Sequence, residues 1–204
     1  MIGKGKSISH GVAALEYDLA KEINGQAVAT EIARHELYGC TGAEMVQEMK
    51  PYHIDFPNVK NNCLRFEVSP SIEESATFTD ADWAELGNDF MQRMGLANHQ
   101  YIIIRHSGTE SKKEQAHLHI LANRVSLSGE LYRDNWIGKK ATEAANAIAK
   151  ERNFVQSQDI GKVNKAEIKE AMDGVLKKMQ GFDFTKFKEE LGKRGFKVRE
   201  ARAR

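Results

Sequence analysis

The sequence predicts an α+β fold: an antiparallel sheet of about five strands with helices packed on it, followed by further helices. Three observations carry this. Short β-branched and aromatic runs alternate with stretches of helical period. The runs at 101–105 and 116–122 are joined by polar or small residues, for which an antiparallel hairpin is the simplest connection. Beyond residue 137 only helical patterns follow.

Taken in order, residues 2–6 read as a short strand. A helix over 10–23 follows, with Ser9 as N-cap, Gly25 just beyond its end and Val12, Leu15, Leu19 and Ile23 as its apolar stripe. Residues 28–37 and 43–49 read as two more helices, the second stopped by Pro51, and 52–61 as a loop. Residues 63–68 form a strand that Ser69-Pro70-Ser71 ends. Thr79 and Asp82 make a capping box for a helix with stripe Trp83, Leu86, Phe90 and Met94, closed by Gly95. The hairpin of 101–105 and 116–122 comes next, then a turn at 126–130 that leads to Leu131 and Tyr132, and an alanine-rich helix over 138–150. Gly161 marks a boundary, so the chain divides into 1–160 and 161–204. In the second part Asn164 and Glu167 cap a helix with stripe Ile168, Met172, Val175 and Met179, and a last helix covers 184–191.

The 204 residues suit one domain with an appendage, and 41% hydrophobic content with three prolines fits a globular chain. No apolar run nears the ~20 residues a membrane helix needs, and the first residues lack the apolar core of a secretion signal. Cys40 and Cys63 have no metal-binding spacing and are expected to be reduced thiols in a cytoplasmic protein. Net charge is +1, yet residues 188–204 carry an excess of +4 and the rest −3. A basic end of this kind either holds a polyanion or solubilises the terminus.

Three histidines carry the most chemical information. Side chains at i and i+2 share one face of a strand, so His117 and His119 point together while Leu118 and Ile120 point into a core. If His106 lies opposite either of them, three imidazoles converge with facing Cβ atoms about 5 Å apart. Three neutral imidazoles in that reach make a divalent-metal site with open positions. A single buried histidine is more often a hydrogen-bonded core residue; three on one face of one hairpin are harder to read that way. Tyr17 lies about 140° from the apolar stripe of its helix, at ~100° per residue. Most tyrosines so placed do nothing catalytic, but beside a metal site a phenol can attack phosphorus and form a phosphotyrosine. With an ordinary pKa of about 10, such a phenol needs a base or a cation.

These residues resemble a known family. His106, with the run His117-Leu-His119-Ile-Leu-Ala-Asn123-Arg124-Val125, resembles motif III of the HUH relaxases, the mobilisation nucleases of plasmids and integrative elements. The segment from Lys4 to Tyr17 resembles their motif I, the nucleophile. The strand ending in Ser69-Pro70-Ser71 and the segment from Gly129 to Lys140 are similar to Bacteroidetes-type mobilisation proteins. The resemblance spans residues 1–150 and makes 1–160 a relaxase nuclease domain. It departs from the family pattern in the long link over 107–115, which makes His106 the least secure ligand and Glu110 its alternative, as ligand or base.

The resemblance implies site- and strand-specific nicking of origin-of-transfer DNA. Tyr17 would attack the scissile phosphate and stay joined to the 5′-phosphate, and His106, His117 and His119 would hold Mn²⁺ or Mg²⁺, with Zn²⁺ or Ni²⁺ as alternatives. The partners implied are single-stranded DNA and an accessory relaxosome protein. Single-stranded DNA needs cations and stacking platforms. Lys4, Lys6, Arg65, Arg105, Lys112, Lys113 and Arg124 are the candidate cations, Tyr132 and Trp136 the candidate platforms, and Ser69 and Asn123 further contacts. Each also has an ordinary reading as surface charge or core aromatic. Three rivals stand beside this. Histidine-triad hydrolases continue the alternation with a histidine where this chain has Leu121. A rolling-circle replication initiator usually places its tyrosine after the histidines. A DNA-binding module that has lost nicking would need neither.

Overall fold

The computed structural model describes residues 1–108 and 115–199. They form two compact units, 1–157 and 158–199 within the unit that runs to the C-terminus. The first is built on a five-stranded antiparallel sheet of β1 (Ile2–Ile8), β5 (Cys63–Ser69), β7 (His117–Ser126), β6 (His99–His106) and β4 (Ala29–His35), in that spatial order. Every neighbouring pair is antiparallel, so the fold class read from the sequence is the one observed.

Alternation along the strands gives the sheet two unlike faces. On one, Leu64, Phe66, Val68, Tyr101, Ile103, Leu118, Ile120 and Ala122 are buried with residues of α4 (Asp80–Arg93) and α5 (Ile137–Glu151) in the larger core. On the other, Ile8, Cys63, Ile102, Ile104 and Leu121 meet α1 (Gly11–Leu19) and α2 (Gly42–Met49). Close approach depends on small residues at two places. A Cβ on Gly11 would sit 2.6 Å from Cys63 Sγ, and one on Gly3 would sit 2.4 Å from the Ala141 carbonyl oxygen of α5. Gly3 and Gly5 therefore face α5, and Lys4 and Lys6 face the opposite side.

Several elements differ from the sequence reading. Helix α1 ends at Leu19; its N-cap is His10 rather than Ser9, and its buried residues are Gly11, Ala14, Leu15 and Asp18, while Val12 is exposed. Residues after it form a two-residue hairpin, β2 (Glu22–Ile23) and β3 (Gln26–Ala27), turned by Asn24 and Gly25, both at positive φ. The stretch expected as a helix over 28–37 is strand β4, the edge partner of β6. Thr30 and Ile32 favour extended backbone, and hydrogen bonding along β6 overrides the local helical pattern. Leu131 makes an isolated bridge to Val125. A short helix, α3 (Ile72–Ser75), caps itself on Ser71.

In the second unit, α6 (Ser157–Leu176) begins seven residues before Asn164, so Gly161 and the expected cap at Asn164 lie inside the helix. It packs against α7 (Phe184–Lys193) through Ala171, Val175, Phe187 and Leu191.

Candidate metal centre

The β6–β7 register places His106 directly opposite His117 and Ile104 opposite His119, which puts all three imidazoles on the α1 side of the sheet. One ring nitrogen from each lies within 4.8 Å of the others. The rings are close, with centroids 4.4 to 5.4 Å apart, and His117 Nε2 is 3.1 Å from His119 Nε2.

Partners behind the rings orient them. His106 Nε2–H donates to the Asp18 carbonyl oxygen at 2.7 Å. That carbonyl lies in the last turn of α1, where the final carbonyls of a helix turn outward. His117 Nδ1–H donates to the Gln115 carbonyl oxygen at 3.1 Å. His119 Nδ1 faces an Arg65 Nη2–H at 3.3 Å and Asp18 Oδ1 at 3.7 Å. Arg65 in turn clamps Asp18, Nε donating to Oδ2 at 3.0 Å and Nη2 to Oδ1 at 2.5 Å.

The electrostatics favour the neutral imidazole at His106 and His119, the form a metal needs. Burial, then the neighbouring His106, His117, Arg65 and Lys4, push His119 down to about 2. Burial also lowers His106, against the pull of its bond to Asp18. Burial raises the Asp18 carboxyl above its ordinary value, although Arg65 draws it back. Three imidazole nitrogens facing one another fit a borderline divalent cation.

Tyr17 precedes Asp18 on α1, is 57% exposed, and accepts a 2.7 Å hydrogen bond from Lys21 Nζ, which also stands 4.9 Å from the ring centroid. The nucleophile candidate is thus one residue from a group that touches two of the three histidine rings. Beside His119 opens a cavity of about 220 Å³ lined by Lys4, Lys6, Arg65 and Glu67. Lys4 reaches Glu67 at 2.8 Å. Ser69, at the end of β5, accepts from Gln115 Nε2 at 3.2 Å.

Other expected contacts lie elsewhere. Arg105 points to the opposite face, where it pairs with Asp80 of α4. Arg124 is tied up by the Tyr132 and Asn61 carbonyls and by Asp134 at 2.6 Å. Asn123 is fully buried, bonded to His53, Gln100 and the Met49 carbonyl, so it is a strut rather than a DNA contact. Tyr132 is half-buried beside the larger core, with Lys140 Nζ 5.0 Å above its ring. Trp136 is 81% exposed, in left-handed conformation at the start of α5. Glu110, Lys112 and Lys113 fall outside the described residues. Sequence reasoning passed over Asp18 and Lys21. Asp18 falls on the helical face of Ala14 and Leu15, a lone charge on an apolar stripe, and Lys21 is four residues from Tyr17.

Residues 17–154 match the family model for the relaxase MobA/VirD2-like nuclease domain, and the chain belongs to that family. No curated protein matches it. Among solved structures, the conjugative relaxase TrwC in complex with oriT DNA, in its metal-bound form, is similar at 10% identity with a TM-score of 0.46, covering 100% of this chain and 93% of that one. No helix among the described residues is long and apolar enough to cross a membrane.

Proposed function

We propose that this chain nicks one strand of origin-of-transfer DNA by tyrosine transesterification. One observation carries the reading: the main chain of α1, one residue after Tyr17, is hydrogen-bonded to His106 of the triad on the α1 side of the sheet. The Tyr17 hydroxyl oxygen attacks the scissile phosphorus, its proton passing to a base. The bond from phosphorus to the 3′-oxygen breaks, that oxygen takes up a proton, and the 5′-phosphate stays on Tyr17. The bond energy is conserved for rejoining. The Lys21 ammonium, already on the phenol oxygen, stabilises negative charge as it develops there.

His106, His117 and His119 would hold a divalent cation, which would supply Lewis acidity at the scissile phosphate. Cellular abundance favours Mn²⁺ or Mg²⁺, and donor softness admits Zn²⁺ or Ni²⁺. Arg65, Lys4 and Lys6 border the cavity next to His119 and neutralise flanking phosphates. Glu110 is the candidate base.

The test is incubation with 3′-labelled single-stranded oligonucleotides tiling origins of transfer, with Mn²⁺ or with EDTA. The expected result is an SDS-stable labelled protein band that requires Mn²⁺ and is absent in Tyr17→Phe. A band of equal strength in Tyr17→Phe removes Tyr17 as nucleophile.

A further inference from the structure

The three imidazoles leave one proton in the way of a cation. His106 and His117 each give a ring N–H outward to a carbonyl, so His106 Nδ1 and His117 Nε2 keep their lone pairs. His119 differs. Its Nδ1 meets an arginine N–H at 3.3 Å and therefore accepts. That leaves the His119 proton on Nε2, 3.1 Å from the lone pair of His117 Nε2. Two of the three donor atoms share one proton. For His119 to ligate through Nε2, its proton must stand on Nδ1 instead. The acceptor waiting there is Asp18 Oδ1 at 3.7 Å, a buried carboxylate gripped at both oxygens by Arg65. Arg65 already bonds Asp18, so it can leave His119 without losing its anion.

We propose, on the reading that the triad binds a divalent cation, that Asp18 is the positioning residue that selects the ligating tautomer of His119. In the loaded state Nε2 gives up its proton, Nδ1 gains one, and Nδ1–H donates to the Asp18 carboxylate, with no net change in protons. The same residue holds His106 through its main-chain carbonyl. Asp18 acts through His119, and a carboxylate behind a metal-bound imidazole both fixes the ring and raises its basicity. Because Asp18 follows Tyr17, the choice of tautomer also ties the nucleophile's helix to the centre.

The experiment uses the full chain with Zn²⁺ as a diamagnetic probe. Long-range ¹H–¹⁵N spectra of labelled histidines report which nitrogen of His119 is protonated, and competition titration reports affinity. In the wild type, His119 is expected Nε2-protonated without metal and Nδ1-protonated with Zn²⁺. Asp18→Asn is expected to bind Zn²⁺ about 10–100-fold more weakly, and Asp134→Asn, whose pair lies away from the triad, to bind as the wild type does. Wild-type affinity in Asp18→Asn overturns the inference, as does an equal loss in Asp134→Asn. Nδ1–H on His119 in the metal-free wild type overturns it without any variant. A wild-type chain that binds Zn²⁺ no better than His117→Ala overturns the metal reading itself, a separate outcome.

Discussion

Both faces of the central sheet carry arginines, and they use them in opposite ways. On the α1 side, Arg65 stands among His119, Asp18, Lys4 and Lys6 at an open cavity. On the α4 and α5 side, Arg105 is paired with Asp80, and Arg124, whose backbone follows the buried Asn123, is held by two carbonyls and Asp134. Arg105 is adjacent to His106 in the chain, yet alternation sends it to the other side of the sheet. Proximity in sequence says little on a strand; parity says most of what matters.

The largest effect separating the faces is expected at the triad. His117→Ala or His119→Ala should lower Mn²⁺ affinity at least 100-fold by calorimetry, while Arg105→Ala leaves it unchanged. Next comes DNA. Lys4→Ala with Lys6→Ala should weaken single-stranded binding several-fold. Its log–log salt slope should become shallower by about 0.7 for each phosphate no longer neutralised. Arg124→Ala should leave DNA affinity within twofold and instead cost about 1 kcal/mol in urea unfolding, since partly exposed acceptors lose their donor. DNA binding abolished in Arg124→Ala with the open-face variants unaffected would reverse the assignment of the faces.

The smallest effect is one of pH. His106 and His119 titrate lower in the folded chain than the ~6.5 of an unfolded histidine. Below that pH the unfolded chain binds protons the folded one refuses, so stability is full above it and falls as pH drops toward the folded values. Asp18, raised by burial, works the other way, offsetting part of the loss as it protonates. Metal-free protein should therefore melt progressively lower from pH 7 to 5, with a shallower slope in His119→Gln. An unchanged slope would mean His119 is not held neutral.

The clustering of the three histidines was legible because its signal is short-range: two histidines at i and i+2 on a strand, and a third across the simplest hairpin. The region over 22–35 was misread for the opposite reason. Its strand β4 exists through pairing with β6, about 70 residues away, which no local pattern carries. Its hairpin did have a local signal, Asn24-Gly25, the dipeptide that suits a two-residue turn with both φ values positive. Taken as the end of a helix, that glycine hid the turn. The stripe of α1 was placed off its true face for a related reason. Glycine and alanine at 11 and 14 bury as well as larger residues where a helix lies close to a sheet, and the charge at 18 is buried only because Arg65, 47 residues on, meets it.

Strand β1 ends the sheet on one side, with β5 as its only strand partner among the described residues. An edge strand offers free main-chain donors and acceptors to any extended chain that approaches, and lysine is a common deterrent to such pairing. Lys4 and Lys6 stand on that rim. The charges proposed to guide DNA thereby also act against self-assembly, so a variant stripped of both should be checked for aggregation by light scattering before its weaker DNA binding is interpreted.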